Sequence, residues 1–161
     1  MTVFYCDFDS RFGRIRLTGD GTVLTGLYFK GQQKHEPIAA RHWVKDAGVA
    51  PFPLVREQFG LYERGELPDF DVPLRMDGTA FRRSVWQALR SIPCGSTVSY
   101  GELASSLGMP KAARAVAGAV ARNPVGVIVP CHRVIGSDGS LTGYAGGLDR
   151  KAALLTLESA F

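Results

Sequence analysis

Residues 99–124, SYGELASSLGMPKAARAVAGAVARNP, contain the clearest helix signals in the second half of the chain. Ser99 with Glu102 three residues later forms a capping box, which predicts the start of a helix. Gly108 is typical of the residue that follows a helix end, and the spacing predicts a second helix over 111–122. Two short helices joined by a glycine-containing turn match the outline of the DNA-binding helix-turn-helix.

The second of these helices has an unusual composition. Residues 111–121 contain six alanines and one glycine, and its charged residues are Lys111, Arg114 and Arg122. A helix that reads bases in a major groove would carry several Arg, Asn or Gln side chains. Small side chains instead let the backbone approach another surface closely. That surface is either DNA, contacted with little sequence specificity, or the protein core, and the composition leaves both open.

Upstream of the helices, the sequence favours a sheet. Three segments rich in β-branched and aromatic residues predict strands: VFYCDF (3–8), FGRIRL (12–17) and TVLTGLYF (22–29). Gly19-Asp20-Gly21 predicts a hairpin turn between the last two. Residues 31–50 are predicted to form a polar loop in which His35 and His42 face solvent.

A helix and a short strand are expected to complete the N-terminal half. The helix is predicted from Pro53 to Arg64, stopped by Gly65, and FDVPL (70–74) is predicted to be a short strand at an edge.

The pattern changes from strands to helices near Met76. We therefore expect two domains, a mixed α/β domain over 1–75 and a mainly helical domain over 76–161, which together give an α+β fold. Thr79 is predicted to cap the first helix of the second domain, which runs to Arg90.

Composition and charge narrow the function classes. The chain has 161 residues, 45% hydrophobic and 21% charged, as in ordinary globular proteins, and no apolar run is long enough to cross a bilayer. Residues 1–75 contain ten basic and ten acidic residues, so the net charge of +4 falls in residues 76–161. A basic half beside a neutral one suggests a polyanion surface, or simply a solvated basic face.

The cysteines and the N-terminus indicate a cellular compartment. Three widely spaced cysteines, Cys6, Cys94 and Cys131, argue against a disulfide framework and favour a reducing cytosol. The acidic start of the chain is unlike a signal peptide, so we expect a cytoplasmic protein.

The segment VGVIVPCHRVI (125–135) carries the candidate chemistry. Residues 127–129 are predicted to form a buried strand, ended by Pro130. Cys131 follows at once, and we expect the neighbouring His132 and Arg133 to lower the pKa of its thiol. The cluster suits an activated sulfur nucleophile, although a buried structural cysteine with a chance histidine neighbour has the same pattern.

The last 20 residues add a loop and a carboxylate. Gly143-Tyr144-Ala145-Gly146-Gly147 is a flexible loop with one aromatic side chain, suited to closing over a planar ligand. Asp149 is predicted to cap a final helix, in which Glu158 shares a face with apolar residues. A carboxylate on such a face needs a partner, and His132 would give a Cys-His-Glu relay. The alternative is a solvated Glu158 near the C-terminus.

Taken together, these motifs resemble the O6-alkylguanine-DNA alkyltransferases, also called methylated-DNA–protein-cysteine methyltransferases. The resemblance is strongest over residues 79–158, whereas the first 75 residues match only in outline. It rests on four segments: IPCGSTVSYGELA, PKAARAVAGAVARNP, IVPCHRVIG and LTGYAGGLDRKAALLTLE. It implies a ribonuclease H-like N-terminal domain and a winged-helix-like C-terminal domain. It also implies direct repair of DNA, with the damaged guanine flipped out of the duplex and its alkyl group moved irreversibly to the protein.

The resemblance implies catalytic roles for four residues. Cys131 would accept the alkyl group, His132 would deprotonate it through a bridging water, and Glu158 would hold the imidazole. Asn123 would support the turn that carries them.

Four further residues would contact the substrate. Arg114 would replace the extruded nucleotide in the base stack, Tyr100 would help its extrusion, and Tyr144 would line the guanine pocket. Many relatives have Ser where this chain has Ala145, which removes one donor to the lesion oxygen and bears on tolerance of larger alkyl groups.

The expected partner is double-stranded DNA carrying alkylated guanine, with O4-alkylthymine as a further candidate substrate. The resemblance implies a monomer that can assemble along DNA, with no membrane contact, no cofactor and no metal. Two other hypotheses fit the same residues. The first is a cysteine hydrolase, which would need an oxyanion hole and would show sustained turnover. The second is a DNA-binding module whose function does not need Cys131.

Overall fold

The N-terminal half of the structure is built on a small mixed sheet. The structure, a computed structural model, describes residues 2–31 and 42–161. Strands β1 (Phe4–Ser10), β2 (Gly13–Gly19) and β3 (Leu24–Phe29) form an antiparallel meander, and β4 (Val44–Lys45) pairs in parallel with β1. The sheet order is β3-β2-β1-β4. The three predicted strands and the hairpin turn between β2 and β3 are confirmed.

The central strand β2 is buried on both faces. Ile15 and Leu17 are buried on one face, but Arg16 on the other face is buried too. Arg16 stands opposite Asp7 of β1 in the strand register, and its guanidinium donates to both carboxylate oxygens of Asp7 at 2.7 and 3.0 Å. This cross-strand ion pair is what makes a buried arginine tolerable in the sheet.

Helix α1 (Phe52–Glu63) brings an aromatic stripe to the core. Phe52, Val55, Phe59 and Tyr62 recur at helical spacing and are all buried. The helix begins and ends within one residue of its predicted bounds, and Gly65 follows it in a left-handed conformation, φ 75°.

The C-terminal half is mainly helical, as predicted. It contains α2 (Ala80–Leu89), α3 (Tyr100–Ser106), α4 (Ala113–Ala121) and α5 (Leu148–Glu158). The Thr79 hydroxyl accepts from the Arg82 amide at the start of α2, and both hydrogen bonds of the Ser99–Glu102 capping box are formed. Helices α3 and α4 are the two helices of the predicted helix-turn-helix, and the α+β fold class is confirmed.

A short parallel sheet joins the helix-turn-helix to the cysteine segment. Strand β5 (Val98–Ser99) immediately precedes α3, and β6 (Val134–Ile135) follows the 3-10 turn Cys131–Arg133. Val98 pairs with Val134, and Ser99 with Ile135. The start of α3 and the turn that carries Cys131 are therefore held in a fixed relation.

The two halves are also joined through the open edge of β3. The Leu27 amide donates to the Pro124 carbonyl at 2.9 Å, and the Gly126 amide donates to the Leu27 carbonyl at 3.0 Å. The segment that leads to Cys131 thus continues the N-terminal sheet. The division of the chain near Met76 remains a prediction.

Three local expectations are wrong. Residues 127–129 are not a strand but a tight turn, in which Val127 has a φ of 66° that β-branched residues rarely adopt. In 70–74 the only ladder contact is a single bridge between Leu74 and Leu24. Asp149 lies in the first turn of α5, but the N-cap is Gly147, with no side-chain cap.

The predicted loop over 31–50 is only partly described. Residues 32–41, including His35, lie outside the described residues. His42 is exposed, as expected, but the loop prediction missed β4. No helix among residues 2–31 and 42–161 is long and apolar enough to cross a membrane.

The packing of α2 on α4 depends on one buried indole. Trp86 Nε1 donates to the Ala119 carbonyl at 2.8 Å. Replacing Trp86 with Phe should lower the free energy of unfolding by about 2–3 kcal/mol, because it removes buried area and a buried hydrogen bond. Urea unfolding measures this as a lower midpoint at constant slope.

The matched control for this prediction is the other tryptophan. Trp43 is only half-buried, so Trp43→Phe should change the unfolding free energy by less than about 1 kcal/mol. Equal losses in the two variants would show that the α2–α4 contact is not a principal determinant of stability.

Candidate active site

A buried carboxylate organises the candidate site. Helix α5 places Glu158 inside the protein on the same face as Leu154, as predicted from their spacing. Glu158 Oε2 lies 2.7 Å from His132 Nε2, and Arg133 Nε donates to Oε1 at 2.7 Å. The expected pairing of His132 with Glu158 is present, and the alternative of a solvated Glu158 is excluded.

Two further donors complete the shell of Glu158. Arg133 Nη2 donates to Oε2 at 3.0 Å, and the Tyr62 hydroxyl, from α1, donates to the same oxygen at 2.5 Å. Hydrogen bonds from His132, Arg133 and Tyr62 outweigh the effect of burial and lower the pKa of Glu158 to about 2. Glu158 is therefore a carboxylate at neutral pH.

This carboxylate fixes the protonation of His132. Because Glu158 can only accept, His132 Nε2 carries the proton and Nδ1 is the basic nitrogen. Burial lowers the pKa of His132 despite the opposing effect of Glu158, so the ring is neutral at physiological pH. Nδ1 is buried and has no hydrogen-bond partner among the residues that the structure describes.

Cys131 lies at the edge of a small pocket beside this network. The pocket is formed by β3, the end of α4, the turn around Asn123 and the loop over 143–146. Burial raises the pKa of the Cys131 thiol, while a hydrogen bond from Asn123 and the charge of Lys151 oppose it. The thiol is thus protonated at rest, which makes a neighbouring base necessary for its ionisation.

The expectation that His132 and Arg133 lower the pKa of the Cys131 thiol is wrong, because burial raises that pKa and neither residue opposes it. The 3-10 turn directs the Arg133 guanidinium away from Cys131, where it pairs with Glu158 and donates to the Ile92 carbonyl at 2.7 Å. Adjacency in sequence did not indicate this, because successive residues of a turn point in different directions. The cation that acts on Cys131 is Lys151 instead.

Lys151 is a site residue that the sequence reading missed. It is fully buried in α5, and its Nζ donates to the carbonyls of Val134 and Thr142 at 2.5 and 2.7 Å. Its spacing from Leu154 and Glu158 puts it on the inward face of the helix, which was the available signal. Lys151 ties α5 to both the cysteine turn and the loop after it.

Asn123 braces the turn that leads to Cys131. Its Nδ2 donates to the Val129 carbonyl at 2.8 Å, and its Oδ1 accepts from the Val125 amide at 3.0 Å. The side chain therefore closes the irregular segment over 123–129 from within, while Leu27 of β3 holds it from outside.

The other predicted residues divide between the pocket and the surface. Tyr144 and Ala145 line the Cys131 pocket, and the Tyr100 hydroxyl donates to the Thr142 carbonyl at 3.3 Å, at the base of the same loop. Arg114 is exposed in the first turn of α4 and does not line the Cys131 pocket. Among the described residues, no three His, Cys, Asp or Glu side chains converge as a metal site would require, and the expected absence of a metal remains a prediction.

The DNA-binding motif and the candidate reacting group lie side by side in the C-terminal half. A helix-turn-helix is joined rigidly to a protonated cysteine that has a neutral histidine and a buried carboxylate behind it. This combination indicates a DNA-directed protein that uses a cysteine as its reacting group.

Comparison with known proteins narrows the class to a family. Residues 80–160 match the family model described as 6-O-methylguanine DNA methyltransferase, DNA binding domain. The chain is 49% identical over 156 residues to a methylated-DNA–protein-cysteine methyltransferase of Mycobacterium tuberculosis, covering 97% of this chain and 92% of the relative. It is 48% identical to one of Methanosarcina acetivorans, covering 97% and 98%.

Solved structures agree with the sequence matches. The M. tuberculosis O6-methylguanine methyltransferase superposes with a TM-score of 0.91 over 99% of this chain and 94% of that chain. A structure of the M. tuberculosis OGT protein in complex with DNA superposes with a TM-score of 0.90, at 48% identity, over 98% of this chain and 93% of that chain. The chain belongs to the methylated-DNA–protein-cysteine methyltransferase family.

The Glu158 network should be essential to stability. Replacing Glu158 with Gln leaves Arg133 buried without a counter-charge, so the free energy of unfolding should fall by about 3–5 kcal/mol. The control is Asp9→Asn, which breaks an exposed ion pair with Arg14 and should cost less than about 1 kcal/mol. Urea unfolding at neutral pH compares the two.

The stability of Glu158→Gln should differ from that of the wild type in its dependence on pH. Because folding lowers the pKa of Glu158 from 4.5 to about 2, its contribution to stability is complete above pH 4.5 and is lost as the pH falls toward 2. Glu158→Gln should therefore lose less stability than the wild type over this range. A parallel loss in both proteins would contradict the assignment.

Proposed function

We propose that this chain repairs O6-alkylguanine in double-stranded DNA by moving the alkyl group irreversibly to its own Cys131. The observation that supports this most directly is the placement of Cys131. In a chain of this family, it is the cysteine that lines the pocket beside the His132–Glu158 pair. Membership of the methylated-DNA–protein-cysteine methyltransferase family establishes the reaction class, which is repair of alkylated DNA by a methyltransferase.

The proton path begins at the thiol. His132 accepts the proton of Cys131 at Nδ1 through a bridging water, since Nε2 is held by Glu158. Glu158 fixes the ring and stabilises the imidazolium that forms. The charge of buried Lys151 stabilises the thiolate, which offsets part of the burial that disfavours it.

The transfer itself is a displacement at saturated carbon. The thiolate sulfur bonds to the alkyl carbon as the bond between that carbon and guanine O6 breaks, and the bonding electron pair stays on guanine. The guanine takes up the proton that His132 accepted from the thiol, returned through water, so that atoms and charge balance and the imidazole is neutral again. The product is a thioether at Cys131, and each molecule acts once.

The helix-turn-helix supplies the DNA contact. Small residues on α4 let its backbone approach the minor groove closely, and the net charge of +4 in residues 76–161 attracts the phosphate backbone. Arg114 fills the place of the extruded nucleotide, and Tyr100 contacts the flipped base and crowds its phosphate. Flipping costs a few kcal/mol, less for a mispaired lesion, which favours damaged sites.

The base pocket is closed by the loop over 143–147. Tyr144 stacks against the guanine, and Asn123 holds the turn opposite it. Ala145 offers no hydroxyl to the lesion oxygen and leaves room for larger alkyl groups. O4-alkylthymine is a further candidate substrate. The protein acts as a monomer in the cytoplasm that can assemble along DNA, and it uses no cofactor or metal.

The first test counts alkyl groups. Incubation with a duplex containing O6-methylguanine should transfer one methyl group per protein, found on the Cys131 peptide by mass spectrometry. Cys131→Ser should bind the duplex but transfer nothing, whereas Cys6→Ser, which changes a buried cysteine of the sheet, should transfer fully. Sustained turnover, or an unmodified Cys131 after complete repair, would contradict the proposal.

The second test isolates base flipping. Arg114→Ala should slow transfer from a methylated duplex by about tenfold or more, because the flipped state loses the side chain that fills the stack. Transfer from the free base O6-benzylguanine should be unchanged, since no flipping is needed. Arg64→Ala, the same change at an exposed N-terminal arginine, should affect neither reaction. Equal slowing on both substrates would contradict a flipping role.

A further inference from the structure

Helix α1 of the N-terminal half contributes a side chain to the network behind the acceptor cysteine. Tyr62 is fully buried, and its hydroxyl donates to Glu158 Oε2 at 2.5 Å across 96 positions of sequence. Its ring packs against Phe59, Phe70 and Phe161, with centroids 5.1–6.1 Å away. These contacts restrict the Tyr62 ring, so its hydroxyl stays within hydrogen-bond distance of the carboxylate.

The hydroxyl competes with His132 for the same oxygen. Glu158 Oε2 accepts from Tyr62, His132 and Arg133 together, whereas Oε1 accepts from Arg133. Each donor withdraws negative charge from the oxygen, so that a third donor weakens its attraction for the other two. Tyr62 therefore reduces the pull of Glu158 on the imidazole ring.

We propose that Tyr62 is a positioning residue for alkyl transfer, which orients Glu158 and limits the negative charge that Glu158 presents to His132. The imidazole then stays neutral, with Nδ1 available to take the proton of Cys131. The assignment rests on the proposed roles of Cys131, His132 and Glu158. It gives the N-terminal half a specific part in the chemistry.

Tyr62 can only act as a donor in this position. Burial and the adjacent Glu158 raise the pKa of the phenol far above its ordinary value, so it keeps its proton at neutral pH. The hydrogen bond between Tyr62 and Glu158 is consequently a constant feature, and changes with pH arise elsewhere in the network.

Three charged groups act directly on His132 and must be considered in any pH dependence: Glu158 and Lys151 from α5, and Arg133 from the 3-10 turn. Other titratable groups act on these in turn: Tyr62, Cys94 and Tyr144 interact with Glu158, and Cys131 interacts with Lys151. Arg133 and Lys151 lower the pKa of His132, and Glu158 raises it. Removing the Tyr62 hydroxyl strengthens the effect of Glu158, so the pKa of His132 should rise.

The test is Tyr62→Phe, which deletes one oxygen and keeps the ring. The rate of methyl transfer from a methylated duplex, measured against pH in single-turnover reactions, should fall at low pH as His132 becomes protonated. In Tyr62→Phe this acidic limb should move up by about one pH unit, so that the rate on the limb falls about tenfold. The rate on the alkaline plateau should change less.

The control separates this effect from loss of stability. Val55→Ala removes packing from the same buried face of α1 and leaves the Glu158 contacts intact. It should lower the urea midpoint but leave the acidic limb where it is. If Tyr62→Phe behaves in the same way as Val55→Ala, the hydroxyl has only a structural role and the proposal is wrong.

A second measurement does not depend on alkyl transfer. Histidine-selective ¹⁵N labelling follows the titration of His132 by NMR, and its midpoint should be higher in Tyr62→Phe than in the wild type. An unchanged midpoint would overturn the assignment of Tyr62 even if transfer proceeds. Absence of transfer by the wild-type protein would instead overturn the proposed function, and the titration would still decide what Tyr62 does to His132.

Discussion

The hydrogen bonds of the buried Glu158 carboxylate to Tyr62, His132 and Arg133 organise the candidate site. A carboxylate removed from water is costly unless donors surround it, and here the donors come from α1 and from the 3-10 turn. The same carboxylate fixes the tautomer of His132 and neutralises Arg133. The site can therefore form only when both halves of the chain have folded against each other.

Burial has opposite consequences for the base and the nucleophile. It keeps His132 neutral and thus able to accept a proton, but it also keeps the Cys131 thiol protonated. A resting thiol that is not ionised is protected from oxidants, since the thiolate is the reactive form. The reactivity of Cys131 then depends on the arrangement of His132 and Lys151 rather than on a permanently ionised sulfur.

The cysteine turn is held from three directions. The pairing of β5 with β6 connects the turn to the start of α3, and Asn123 braces the irregular segment before it. Lys151 of α5 donates to the carbonyl of Val134, the residue that follows the turn. A flipped base is bound by α3, α4 and the 143–147 loop in the proposed mechanism. Rigid connections between these elements and Cys131 are what convert DNA binding into a defined distance between sulfur and alkyl carbon.

The features that could be predicted from sequence are those that depend on short-range patterns of residues. The capping box at Ser99, the strands of the first 30 residues and the inward face of Glu158 follow from periodicity and turn chemistry, and the PCHR segment pointed to Cys131 and His132. The conformation of residues 127–129 and the hydrogen-bond partners of Glu158 depend on tertiary contacts, which the sequence pattern does not show. Val127–Val129 have strand composition but form a turn, because bracing by Asn123 outweighs their propensity. Arg133 pairs with Glu158 and not with Cys131, and Tyr62 of the N-terminal half donates to the same carboxylate. Contacts in a buried network depend on proximity in space, which separation along the sequence does not indicate.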